Sequence, residues 1–177
     1  MSGLRLRDVP RVGLGTWENS DLDQCAQTVR EALEIGYRHI DTAQLYENED
    51  AVGKGIEESP VDRDEIFLAT KVSFENLEPE QVVDSTRTSL RKLRTDYVDL
   101  LYVHWPAGEY RAASTLKAFE QLRSQEAIRY IGVSNYTPEL LEEARGVLSE
   151  GPYAHQIEMH PHLKQEELHR DARNTGT

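Results

Sequence analysis

A single cysteine among 177 residues, Cys25, leaves no internal disulfide to be made, which fits a chain that folds in a reducing compartment on its apolar core alone. Cys25 sits in a helical pattern, where a small thiol is a packing residue rather than a nucleophile. No apolar run reaches the roughly 18 residues that a membrane crossing takes, and the N-terminus lacks the charged, apolar and small-residue succession of a secretory leader. A soluble cytoplasmic protein is therefore the expectation. Lysine is scarce as well: Lys54, Lys71, Lys92, Lys117 and Lys164 are the only lysines among 20 basic residues. Against them stand 32 carboxylates, for a net charge of -12. That charge repels nucleic acid and anionic membrane, so small molecules are the expected partners. Many carboxylates with few lysines also suit a protein kept soluble at high salt, where screening relieves self-repulsion, and halophily is the matching expectation.

What is present is a regular alternation. The length is that of one domain, and no linker or low-complexity stretch divides it. A first strand is predicted over Val12–Thr16, then a helix over Leu22–Ile35 with Leu22, Cys25, Ala26, Val29, Ala32 and Leu33 at helical spacing, ended at Gly36. A second strand follows over Arg38–Asp41 and a helix over Glu49–Glu58, stopped by Pro60. Ile66–Lys71 reads as a third strand and Pro79–Leu93 as a helix with proline in its first turn. Val98–Val103 is the fourth strand, and Leu116–Leu122 belongs to the fourth helix. Ile128–Val133 and Pro138–Leu148 form the fifth pair. A sixth strand over Ala154–Met159 leads to a helix from Glu166 that soon meets the polar, aperiodic end Asn174 to Thr177.

Strand–helix units of this kind imply parallel strands joined by crossover helices, an α/β fold. An open doubly wound sheet usually carries a glycine-rich phosphate loop after its first strand. Gly13–Glu18 (GLGTWE) does not fit that pattern, so a barrel is favoured. Polar residues gather where the strands end: Thr16 and Trp17, Asp41, Lys71, His104 and Trp105, Ser134 and Asn135, and Gln156 within the sixth. In a parallel barrel those ends share one face, the face on which barrel enzymes keep their active sites. Tyr46, five residues past Asp41, is close enough to reach the same mouth. Any one of these residues alone is an ordinary strand end, cap or core group; their joint placement is what points to a site. His155, His160 and His162 have no carboxylate or cysteine spacing to complete a metal site, and no metal is expected.

The runs Gly36–Glu49 (GYRHIDTAQLYENE), Ala69–Lys71 (ATK), Val103–Pro106 (VHWP), Gly132–Asn135 (GVSN) and Gln156–Pro161 (QIEMHP) resemble the signatures of the aldo-keto reductases, in order and in spacing, over about residues 10 to 168. The resemblance implies a TIM (β/α)8-type barrel and a nicotinamide-dependent carbonyl reductase. It implies that Asp41, Tyr46, Lys71 and His104 form a catalytic tetrad. Hydride arriving at a carbonyl carbon leaves negative charge on oxygen, so a proton donor must stand beside it; Tyr46 would be that donor. A neighbouring ammonium favours an ionised phenol and so eases proton release. Lys71 would supply it, with Asp41 pairing Lys71 and His104 polarising the carbonyl. Thr16, Asp41, Ser134, Asn135 and Gln156 would hold the cofactor, NADPH by family expectation with NADH also compatible. Trp17 and Trp105 would wall the substrate pocket, as large flat apolar groups do.

The resemblance also implies two further strand–helix units, which carry the clamp for the cofactor's adenine end and 2'-phosphate. The sequence reads as about six units, and the residues after Leu168 depart from the family's sixth helix. The expectation is an incomplete barrel with its first and sixth strands as open edges and its interior facing water. Three readings follow: a reductase, monomeric in the full family barrel but self-associating here; an inactive fragment of such an enzyme; or a non-catalytic cofactor-binding subunit. An aldehyde or ketone is the substrate class.

Overall fold

The computed structural model describes residues 9–175. Strands and helices alternate: β1 (Leu14–Gly15), α1 (Leu22–Glu34), β2 (His39–Asp41), α2 (Glu49–Glu57), β3 (Phe67–Val72), α3 (Pro79–Lys92), β4 (Val98–Val103), α4 (Ala112–Ser124), β5 (Ile128–Ser134), α5 (Pro138–Val147), β6 (Ala154–Gln156) and α6 (Glu166–Thr175). All five strand pairings are parallel, in the order β1-β2-β3-β4-β5-β6. This is an incomplete (β/α) barrel, and the expected α/β class holds.

The helices begin where local chemistry stops the strand-to-helix loops. Asp21 caps α1 by accepting from Gln24 N–H, Thr137 caps α5 by accepting from Leu140 N–H, and Pro79 and Pro138 open α3 and α5, where a missing N–H costs nothing. β3 and β4 are buried at every position, as strands covered on both faces must be. Outward side chains such as Ile40, Leu68, Leu101, Ile131 and Val133 pack with Val29, Leu33, Leu116, Phe119 and Leu122 of the helices in the main core. Cys25 lies in that core on α1, fully buried, and burial pushes its thiol pKa up, as a packing role requires.

The inward side chains form a second, smaller core of Phe67, Ala69, Leu100 and Tyr102, with Tyr130, Tyr153 and Ala154 against it. The expectation that an incomplete barrel leaves its interior in water is corrected for the central strands alone, where Phe67 and Tyr102 are 8% and 5% exposed, whereas Tyr130, Tyr153 and Ala154 are partly exposed. Side chains of β3, β4, β5 and β6 pack together on that face. Gly132 makes this possible: a Cβ there would lie 2.4 Å from Tyr102 Cδ1, so a bare backbone is what lets the Tyr102 ring cross β5. Tyr130 and Tyr153 stack at 3.9 Å between ring centres and cover the same space from one side.

Most element boundaries differ from the sequence reading by at most a single residue, and four differ in ways that matter. β1 spans two residues rather than Val12–Thr16, and β6 stops at Gln156 instead of Met159. α4 begins at Ala112, ahead of Leu116. The buried hydroxyl of Thr115 donates to the Leu77 carbonyl at 2.8 Å, so a polar residue occupies a core position that hydrophobic periodicity does not reveal. α6 continues through Asn174 and Thr175, which the sequence reads as aperiodic. Arg145 holds that helix by pairing with Asp171 at 2.5 Å, and Gly176 and Thr177 lie outside the described residues. Within the described sheet β1 and β6 are the outer strands, and both are short, which limits the unpaired backbone they present.

Candidate active site

The carboxyl ends of the strands converge on Lys71. Strand alternation turns Lys71 inward from β3, and its side chain is buried. An ammonium in that position is tolerated only when its three protons all find acceptors. They do: Nζ donates to Asp41 Oδ1 at 2.5 Å, to the Thr42 carbonyl at 2.9 Å and to the Tyr46 hydroxyl at 3.2 Å. Asp41, the last residue of β2, spends its other carboxylate oxygen on Gln156, whose Nε2 donates to Oδ2 at 2.9 Å. Residues 115 positions apart thus close a ring across the barrel mouth.

Tyr46 stands on a single 3-10 turn, Gln44–Tyr46, ended by Glu47 in the left-handed region (φ 55°). His104, the residue after β4, meets the Tyr46 ring edge-on, with centroids 5.6 Å apart at 83°. Burial, reinforced by the Lys71 charge, pulls its imidazole down to about 4, so His104 is neutral at neutral pH. Its Nδ1 is buried and has no hydrogen-bond partner among the described residues. The arrangement is an acid (Tyr46) touching a fixed cation (Lys71), flanked by a neutral imidazole.

Around this centre lie the other predicted residues. Thr16 is buried and donates its N–H to the Asp41 carbonyl at 3.0 Å. Asn135 follows β5 in the left-handed region (φ 62°), a conformation asparagine tolerates better than most residues. Its Nδ2 donates to Ser134 Oγ and to the His104 carbonyl, both at 3.0 Å, and its backbone N–H donates to the Gln156 carbonyl at 3.1 Å. Trp105 is half exposed and borders a groove of about 500 Å³ with Asn135, Tyr136, Ile157 and Leu163. Trp17 is 70% exposed at the rim. The three histidines do not converge. His155 Nε2 accepts from Tyr136 N–H at 3.1 Å, whereas His160 faces Glu158 at 3.2 Å. Among the described residues no three His, Cys, Asp or Glu side chains are grouped to hold a metal.

Two neighbours escaped the sequence reading. Asn48 is buried and fully used: Nδ2 donates to the carbonyls of Thr16 at 2.8 Å and Asn19 at 3.2 Å, and Oδ1 accepts from Thr42 Oγ1 at 3.0 Å. It therefore anchors Thr42, the residue whose carbonyl accepts from Lys71, by its hydroxyl, and leaves the start of α2 without a side-chain cap. Glu49, also buried, accepts from Thr70 Oγ1 at 2.7 Å and Ser89 Oγ at 3.1 Å. Both residues lie in the run Gly36–Glu49, which was the available signal, but nothing local announces their partners.

The sequence profile of the "Aldo/keto reductase family" matches residues 11–177. The chain belongs to the aldo/keto reductase family. The match continues past Leu168, where the sequence reading placed the end of the resemblance. Methylglyoxal reductase DkgB of Escherichia coli O157:H7 is 43% identical over 159 residues, covering 88% of this chain and 59% of that protein. Glyoxal reductase of Bacillus subtilis (strain 168) is 40% identical, covering 91% and 58%. Among solved structures, the Bombyx mori aldo-keto reductase in complex with NADP superposes with a TM-score of 0.89 at 34% identity, covering 95% of this chain and 60% of that one. The aldo/keto reductase from Brucella melitensis gives 0.89 at 39% identity, covering 94% and 65%. The chain spans about three fifths of the length of the curated relatives it matches. Among the described residues no helix is long and apolar enough to cross a membrane.

Proposed function

We propose that this chain, as one aldo-keto reductase domain over residues 1–177, carries the reductase site for small aldehydes and ketones, with NADPH as hydride donor. The observation that carries the reading is the single buried ammonium of Lys71 touching both Asp41 and the Tyr46 hydroxyl. When bound, the reduced nicotinamide supplies a hydride to the carbonyl carbon. Tyr46 then gives its proton to the carbonyl oxygen, and Lys71 stabilises the phenolate that remains. Asp41 keeps Lys71 in place and offsets its burial. His104, neutral and edge-on to Tyr46, donates a second hydrogen bond that orients the carbonyl.

The nicotinamide end of a dinucleotide fits the residues present. Ser134, Asn135 and Gln156 place hydroxyl and amide groups in one hydrogen-bonded cluster beside Asp41 and Thr16, the donor and acceptor mixture that a carboxamide takes. Trp17 and Trp105 supply apolar walls for the substrate. Relatives named for methylglyoxal and glyoxal favour small dicarbonyls as a first substrate class, and the identity of a neighbour solved with NADP favours NADPH. A cytoplasmic setting and a salt-adapted surface accompany this reading.

The test is NADPH consumption by the purified chain with methylglyoxal, at low and at molar KCl. Turnover supports the reading, and a requirement for salt supports halophily. A folded chain that binds NADPH without turnover would make it a non-catalytic binder instead, and one that neither binds nor turns over would make it an inactive fragment.

A further inference from the structure

The tetrad rests on a second buried cluster that faces away from the substrate. Thr70 is the residue before Lys71 and points to the opposite side of β3, so whatever holds its side chain fixes the rotation of the strand that aims Lys71 inward. Its hydroxyl donates to Glu49 Oε1 at 2.7 Å. The other oxygen of the same carboxylate accepts from Ser89 Oγ on α3 at 3.1 Å. Ser89 in turn accepts from Gln44 Nε2 at 3.2 Å, and Gln44 opens the turn that carries Tyr46. The side-chain oxygen Oε1 of Gln44 accepts from Ser73 N–H at 2.9 Å and from Asn76 Nδ2 at 3.0 Å, which ties that turn to the loop after β3.

We infer that Glu49 is a positioning residue for the proposed reaction: its carboxylate ties the Lys71 strand through Thr70 and the Tyr46 turn through Ser89 and Gln44, and so sets the contact between proton donor and cation. Glu49, Thr70 and Ser89 are each buried. A carboxylate there is costly unless both oxygens are satisfied, so its retention needs the donors it has, and charge-assisted bonds are the stronger kind. Burial pushes the Glu49 carboxyl up, while Thr70, Ser89 and Lys92 pull it back. Glu49 touches neither Lys71 nor Tyr46. It acts on their separation from the outer side of the strand, alongside the direct tie of Gln44 to Ser73. The idea rests on Tyr46 being the proton donor.

The experiment compares Ser89→Ala, which cuts only the arm to the Tyr46 turn, with Thr86→Ala. Thr86 is a buried control on the same helix whose hydroxyl serves its own helix by donating to the Val82 carbonyl at 2.7 Å. Amide hydrogen exchange at Tyr46 and Glu47, whose N–H groups close the turn, is read against the amides of β4. Ser89→Ala is expected to speed exchange at those two positions about tenfold relative to β4, whereas Thr86→Ala leaves the ratio unchanged. In turnover, Ser89→Ala lowers kcat about fivefold to tenfold and leaves KM within about twofold. Ser89→Cys, close in size but a much weaker hydrogen-bonding group, weakens the same arm and serves if Ser89→Ala does not fold. Unchanged relative exchange at Tyr46 and Glu47 in these variants overturns the inference. A Tyr46→Phe chain with full turnover would overturn the donor role instead, and the exchange result would still decide whether the tie exists.

Discussion

Lys71 and Gln156 lie at the same end of the barrel and share one partner, Asp41, yet they come from regions built differently. β3, which carries Lys71, is buried at all six positions, and so is β4 beside it. β6, which carries Gln156, has three half-buried residues, and α6 after it buries none. Of the groups proposed for proton transfer, Asp41 and Lys71 are therefore held by strands inside the sheet, β2 and β3, with Tyr46 on the turn after β2 and His104 just past β4. Part of the proposed nicotinamide cradle hangs on an outer strand. The difference teaches that the chemistry and the cofactor hold have separate structural supports in this chain, and that damage to one need not travel to the other.

The contrast can be broken most forcefully at Lys71. Lys71→Met leaves the partly buried Asp41 carboxylate beside an apolar group, and since losing one partner of a fully buried pair costs about 3–5 kcal/mol, a loss of about 3 kcal/mol is expected here. Urea denaturation should show that loss, while Gln156→Leu, at the outer strand, should cost only about 1 kcal/mol. Equal losses at the two sites would erase the distinction between interior and edge.

A further effect is expected from pH. Burial is the first cause that holds His104 and His155 near 4 rather than at the ordinary 6.5. Below 6.5 the unfolded chain therefore binds protons that the folded chain refuses until about 4. Stability should be level above 6.5 and fall as pH drops from 6.5 toward 4. Urea midpoints across that range should fall less steeply in a His104→Gln, His155→Gln double variant. An equal slope in wild type and variant would show that the two imidazoles are not held neutral by the fold.

Gly132→Ala sharpens the comparison inside the barrel. Its new methyl group would meet the Tyr102 ring, and overpacking of this kind costs about 1–3 kcal/mol. At the far end, Asp171→Asn removes the charge from the pair with Arg145 that pins α6. Such a surface pair is worth about 0–1 kcal/mol, so only a small shift of the unfolding midpoint is expected. A larger loss there than at Gly132 would mean that α6 supports the fold more than its exposure implies.

Much of this molecule can be read without coordinates. The alternation of apolar strands with amphipathic helices specifies a parallel sheet, because each pattern has its own period. Asp41, Lys71, His104 and Asn135 declare themselves as polar residues interrupting apolar strand ends, and the structure brings all four to one mouth. Other features are illegible for a physical reason. Glu49 finds Ser89 forty positions away and Thr70 twenty-one away, and such pairings exist only after folding. The buried threonine of α4 hides for the same cause: Thr115 satisfies its hydroxyl on Leu77, which a hydrophobic pattern cannot register. The covering of the central barrel interior is illegible in sequence because it depends on Gly132 and Tyr102 meeting across strands, not on either residue alone.

The most direct measurement is the rate of NADPH-dependent reduction of methylglyoxal by the wild-type chain and by Tyr46→Phe, with unfolding midpoints recorded for both. The expected result is a loss of about 10²- to 10⁴-fold in turnover with a stability cost of only about 1–3 kcal/mol, since Lys71 loses one of its three acceptors while the ring keeps its contacts with His104 and with the Lys71 ammonium. Turnover within a few-fold of wild type in Tyr46→Phe would contradict the assignment of Tyr46 as the proton donor.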